Sequence, residues 1–141
     1  MWDKRLFWLL SLAYRRAASM ADAGLEDLDL TAAQAGALFA IPVEGTVTVN
    51  DMAAALRIGQ SAASVFVQKL EKAGLISRQS DPKDSRYAVL ALTAHGRELR
   101  ALAAARARDF NTRLRGDLSD EQFEAVTVWL QQVITMKEED T

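Results

Sequence analysis

The stretch VNDMAAALRIGQSAASVFVQKLEKAGLISRQSDPKDSRYAVLALT, residues 49–93, constrains the fold more than any other part of the chain. Met52, Ala53 and Leu56 stand at i, i+1 and i+4, which gives a short helix one apolar face. Asn50 is placed to cap its start, because its side-chain oxygen can accept a free backbone N–H. Arg57-Ile58-Gly59 makes a turn, and a second helix is expected over 60–73 with Ala63, Phe66, Val67 and Leu70 facing inward. Gly74 closes that helix, since glycine adopts the left-handed conformation of a helix end without steric penalty. Two β-like runs, 75–78 and 87–92, flank the polar, proline-containing segment QSDPKDSR, the pattern of a hairpin. Helix, turn, helix and charged hairpin is the layout of a winged helix-turn-helix, whose second helix fits a DNA major groove.

The flanking segments are helical too. Leu6, Leu9, Leu10, Ala13 and Ala17 share one face of a helix expected over 3–23. Lys4 and Arg5 before that apolar run superficially resemble a secretory signal. Arg15-Arg16 interrupts it, however, and the run falls well short of the roughly 20 residues that cross a bilayer. An acidic connector, 24–30, leads to Thr31 and Gln34, whose T-x-x-Q spacing is that of a capping box starting a helix that ends near 41–42. A very short strand is expected at Val47, as a third member of the wing sheet. Thr93 can cap a long helix running to about residue 114, with Leu99, Leu102, Ala103, Phe110 and Leu114 along one side. Arg97, Arg100, Arg106, Arg108, Arg113 and Arg115 line the other side, either as contacts for phosphates or an acidic ligand or, more commonly, as a solvated face pairing partly with acidic neighbours. Gly116 breaks the helix. Ser119 and Gln122 form a second box, opening a last helix with Phe123, Val126, Val128, Trp129, Leu130, Val133 and Ile134. The acidic tail Glu138-Glu139-Asp140 is expected to fray.

Composition narrows the function classes. A chain of 141 residues, half of them hydrophobic, is expected to form one domain with its own core. The formal net charge of −2 argues against a general nucleic-acid binder, but residues 46–92 hold six basic side chains against four acidic ones. That lobe is therefore +2 and the remainder −4, a modest asymmetry favouring DNA contact by the lobe. The absence of cysteine excludes disulfides and thiol redox sensing, and a reducing cytoplasm is compatible. His95 is the only histidine, and neither a glycine-rich phosphate loop nor a serine elbow is present. Neither an enzyme nor a metal site nor a cofactor is expected.

The candidate interface follows from the helical and hairpin spacing. Ser61, Ser64 and Gln68 fall at i, i+3 and i+7 and share the outward face of the second helix. Gln60 and Lys69 add polar groups, and Ala62 and Val65 can meet thymine methyls. On the hairpin, Lys83, Ser85 and Arg86 are candidates for the minor groove or its phosphates. Asp84 and Arg86 lie two apart, on one side if that flank is extended, and can pair with each other to hold the tip in one shape.

AALRIGQSAASVFVQKLEKAGLI followed by DPKDSRYAVLALTAHG resembles the DNA-binding core of the MarR family of bacterial transcriptional regulators. The Asp84-x-Arg86 pair followed by Leu92-Thr93 is similar to that family's wing signature, and LDLTAAQAGALFAI resembles its second helix. Two positions depart from the pattern. Val65 stands where a basic residue is frequent, and Ser85-Arg86 where two arginines often occur. The resemblance implies a mainly α, single MarR-like domain over 1–141, with a DNA-binding lobe at 46–92 and helical dimerisation regions at 1–30 and 94–141. It implies a cytoplasmic homodimer, of repressor type, on a pseudo-palindromic operator, with no membrane partner. A small aromatic or amphipathic effector is implied as well, with Trp8, Tyr14, Phe39 and Phe110 as candidate neighbours. The apolar stripes on the first and last helices fit a two-fold partner surface. A helical protein-interaction module without specific DNA binding is the alternative.

Overall fold

The computed structural model describes residues 5–138; residues 3 and 4 of the expected first helix, and Glu139 and Asp140 of the acidic tail, lie outside it. The elements in chain order are α1 (Leu6–Ala23), a 3-10 turn (Glu26–Leu28), α2 (Ala32–Phe39), β1 (Val47–Thr48), α3 (Val49–Leu56), α4 (Gln60–Lys72), β2 (Ile76–Ser80), β3 (Ala88–Leu92), α5 (Ala94–Arg115) and α6 (Asp120–Ile134). The fold is mostly helical, with a small antiparallel sheet of order β1-β3-β2 as the wing. The chain divides into two compact units, 1–108 and 109–141, and α5 runs through the boundary.

In the first unit, side chains at helical spacing on α2, α3 and α4 meet the inner face of the sheet. Leu38, Ile41, Met52, Val67, Leu70, Leu75 and Leu90 are fully enclosed, and Ala103 of α5 joins the same cluster. Enclosing side chains of this size is worth on the order of 2 kcal/mol each relative to exposure. Among the described residues no polar or charged side chain is buried. Phe66 is only half-buried, at the edge of the cluster rather than inside it.

The capping box expected at Thr31 and Gln34 is present, as is that at Ser119 and Gln122. The start of α3 differs from expectation. Thr48, not Asn50, is its cap: the Thr48 hydroxyl accepts the Asp51 N–H at 3.0 Å, and the Asp51 carboxylate accepts the Thr48 N–H at 3.2 Å. This reciprocal box satisfies two backbone donors where Asn50 would satisfy one. Thr48 also ends β1 with an extended backbone, which leaves Asn50 inside the first helical turn. The short strand at Val47 is the third in the wing sheet and pairs with Leu90.

Thr93 ties three elements together. Its hydroxyl accepts the Gly96 N–H, capping α5, and donates to the Gly74 carbonyl at 2.6 Å. Its own N–H donates to the Leu75 carbonyl at 3.1 Å. Gly74, in the left-handed region at φ 75°, is the exit of α4. Gly96 packs so tightly on this joint that a Cβ there would overlap the Leu75 carbonyl oxygen and lie 2.8 Å from its carbon.

In the second unit, Gly116 turns the chain at φ 56° between the end of α5 and α6. Arg115 pairs with Asp120 and lies 4.5 Å from the centre of the Phe123 ring. No residue of α6 is buried.

Gly96→Ala is expected to destabilise the protein by about 1–3 kcal/mol, the usual range for overpacking a filled site. Urea denaturation followed by circular dichroism reads this as a lowered midpoint. An unchanged midpoint would mean that the joint between α5 and the wing yields freely.

Candidate nucleic-acid interface

The body of α4 is anchored by Ala63, Val67 and Leu70, so its opposite side stays in water. Gln60, Ser61, Ala62, Val65, Gln68 and Lys69 are exposed there, and Ser64 is half-buried at the margin. The outward set is thus presented by a helix whose inner side cannot rotate without breaking the core. Val65 is 48% exposed in the middle of this face, where an apolar side chain has no core to enter.

The wing tip is fixed by its own hydrogen bonds. The Asp81 N–H donates to the Tyr87 carbonyl at 2.9 Å, closing the loop, and the Tyr87 N–H donates to the Asp84 carbonyl at 3.1 Å. The Asp81 carboxylate accepts the Lys83 N–H at 2.9 Å. Asp84 and Arg86 do pair: Nε of Arg86 donates to Oδ1 at 3.0 Å, and a terminal nitrogen donates to Oδ2 at 2.8 Å. The geometry differs from an extended flank. The Asp84 carboxylate also accepts the Arg86 backbone N–H at 3.1 Å, which bends the chain into a turn. The side-chain bond from Arg86 holds the Asp84 carboxyl below the ordinary carboxylate range, aided by the backbone bond, and the same pairing raises the arginine. The arginine side chain remains 82% exposed, so the pair directs it outward without removing it from solvent. Lys83 and Ser85 are exposed beside it.

A cleft of about 500 Å3 connects the two parts. Asn50 and Gln60 line it from the helices, and Arg86 and Tyr87 from the wing. Asn50 and Tyr87 are not among the candidates drawn from spacing, because only the folded wing brings residue 87 near residue 60.

Several arginines of α5 reach protein partners, and the pairing with acidic neighbours is seen at Arg106 and Arg115. Arg100 donates to the Leu38 and Phe39 carbonyls, both at 3.2 Å, and so satisfies the open end of α2. Arg106 forms two bonds to the Asp27 carboxylate, at 2.6 and 2.7 Å, and a third to the Gly24 carbonyl. Its side-chain bond holds Asp27 below the ordinary carboxylate range. Arg97 donates to the Leu92 carbonyl. Of the four aromatic candidates, Trp8 and Tyr14 are exposed, and Phe110 is half-buried. Phe39 is also half-buried, with its ring 5.8 Å from the Arg100 guanidinium carbon. Among the described residues no group of histidine, cysteine or carboxylate side chains is arranged to hold a metal. No described helix is long and apolar enough to cross a membrane.

The sequence profile of the MarR family matches residues 28–86, from the 3-10 turn to the wing tip. That segment, which holds the helix-turn-helix and reaches the wing, is similar to the MarR family. No curated protein matches it in sequence. Solved MarR-type structures superpose over almost the whole chain. One is Bordetella bronchiseptica BpsR, whose DNA binding is regulated by 6-hydroxynicotinic acid; it is 25% identical, with a TM-score of 0.88, over 97% of this chain and 98% of that one. Staphylococcus aureus MepR in complex with DNA is 26% identical, with a TM-score of 0.86, over 94% and 98% of the two chains. A mutant Escherichia coli MarR complexed with operator DNA is 21% identical, with a TM-score of 0.84, over 92% and 94%, and shows likeness of fold.

A carboxyl held below its ordinary value favours the paired state at neutral pH and loses that contribution as pH falls through the lowered value. The Asp84 carboxyl carbon, followed by NMR, is therefore expected to titrate below the ordinary aspartate range. In Arg86→Ala the midpoint should rise. An Asp84 midpoint that ignores the arginine would show that the pair does not persist in solution.

Proposed function

We propose that this protein is a DNA-binding transcriptional regulator of repressor type, cytoplasmic and not an enzyme. In this reading it acts as a homodimer on a pseudo-palindromic operator and is released by a small aromatic or amphipathic molecule. The observation that carries the reading is the joint presentation of an anchored helix and an internally pinned wing. The helix offers hydrogen-bonding and small apolar side chains of the kinds that read base edges. The wing directs a guanidinium outward at the same side of the lobe, across one cleft. The DNA complex of MepR supports this assignment by analogy.

In this proposal 46–92 is the DNA-binding lobe within a single MarR-like domain, and 1–30 with 94–141 forms the dimerisation region. Support comes from large apolar side chains left in solvent by each unit alone. On α1, Leu6 and Phe7 are exposed; on α6, Phe123, Val126, Leu130 and Ile134 are exposed. Apolar surface concentrated this way on two elements is what a partner covers. A second copy supplies the same stripes about a two-fold axis and sets two recognition helices about one DNA turn apart. The regulation of BpsR by 6-hydroxynicotinic acid makes aromatic acids the first effectors to screen. Trp8, Tyr14, Phe39 and Phe110 are the proposed aromatic neighbours of such a molecule.

A gel shift with the promoter region upstream of the protein's own gene tests the proposal. A shift that survives non-specific competitor supports it, and no shift favours the protein-interaction alternative. On the preferred site, Gln68→Ala is expected to cost about 1–3 kcal/mol of binding, with much less lost on random duplex. Equal losses on both would make Gln68 a backbone contact. Sedimentation at micromolar concentration is expected to show a dimer that truncation before Val126 abolishes, together with operator binding. A stable wild-type monomer would overturn the proposed assembly.

A further inference from the structure

We infer that Tyr87 is a DNA-backbone contact, seating one sugar–phosphate strand in the cleft between the start of α4 and the base of the wing. The inference rests on the DNA-binding reading and deepens it. Tyr87 is 59% exposed, although it immediately precedes the buried strand β3. Its position is set by the loop, not by the core. Its carbonyl accepts from the Asp81 N–H and its N–H donates to the Asp84 carbonyl, so the backbone that carries this cleft-lining side chain is pinned. The Arg86 guanidinium carbon lies 6.0 Å from the ring centre.

The chemistry of the cleft fits an anionic backbone. Asn50 and Gln60 bring amide donors, and Tyr87 brings a phenol. Arg86 engages Asp84 through Nε and one terminal nitrogen, which leaves further N–H donors on its open side. Two carboxylates, Asp51 and Asp81, line the same cleft. Each accepts a backbone N–H, from Thr48 and Lys83 respectively, which holds it against its own chain. The strand dividing the major groove from the minor groove must pass between a helix in one and a wing in the other. That path is this cleft. The phenol O–H donates to a phosphate oxygen, and the ring packs on the adjoining deoxyribose.

Fluorescence anisotropy with the full chain, a selected operator duplex and a random duplex, across a salt series, tests the inference. Tyr87→Phe is expected to weaken binding to both duplexes by about tenfold, the scale of a hydrogen bond to a charged acceptor. The salt slope should stay as in the wild type, because a neutral phenol releases no counterion. Arg86→Ala should instead flatten the slope by about one unit. Tyr87→Ala should lose more affinity than Tyr87→Phe, with the melting temperature of the free protein unchanged. Wild-type affinity in Tyr87→Phe overturns the contact. A Tyr87→Ala slope as flat as that of Arg86→Ala also overturns it, since the ring would then act only through the arginine. Failure of the wild type to bind any duplex overturns the DNA-binding reading itself, a result distinct from either.

Discussion

The hydrogen bonds of Thr93 are the constraint on which the rest of the winged lobe depends. The Thr93 hydroxyl caps α5 and grips the Gly74 carbonyl just past α4, while the Thr93 N–H holds the Leu75 carbonyl ahead of β2. The exit of α4, the return strand of the wing and the start of α5 are thereby fixed at a single point. Gly96 allows this approach, because any side chain would occupy the space of the Leu75 carbonyl. The orientation of the exposed side of α4 relative to the wing is set here, before any surface residue contributes.

The charged groups divide their work by distance along the chain. Local pairs shape the wing: Asp84 with Arg86, and Asp81 with the Lys83 amide, replace a core that a hairpin tip cannot have. Exposed pairs of this kind add little to global stability, but they reduce the number of shapes the tip samples. Distant pairs do something else. Arg100 and Arg106 reach from α5 to the ends of α2 and α1, satisfying carbonyls that a helix leaves open at its C-terminus. These side chains act as struts, and their positive charge is not available as a free patch.

What was legible in the sequence were the local features. Capping boxes at Thr31 and Ser119, the left-handed glycines at 74 and 116, the third wing strand at Val47 and the apolar side of α4 all follow from spacing within a few residues. The start of α3 was misread because Asn50 and Thr48 are both competent caps. The choice between them turns on Asp51 reaching back to the Thr48 N–H, and on β1 leaving Thr48 extended. Spacing marks the α5 arginines as a solvated face with some acidic pairing, but the partners of Arg100 and Arg106 lie in a distant part of the chain, beyond any periodicity. The cleft shared by Gln60 and Tyr87 was hidden for the same reason. Tertiary contact created it, and no local spacing encodes it.

The polar set on α4 is thin, with Val65 at its centre, so the proposed DNA reading rests specificity on few base contacts repeated by symmetry. Selection of bound duplexes from a fully random pool, using the intact protein, measures that dependence directly. Enrichment of an inverted repeat is expected, with half-sites centred about 10 base pairs apart, one turn of the double helix. Recovery of unenriched sequence, or of a lone half-site without its inverted copy, would contradict it.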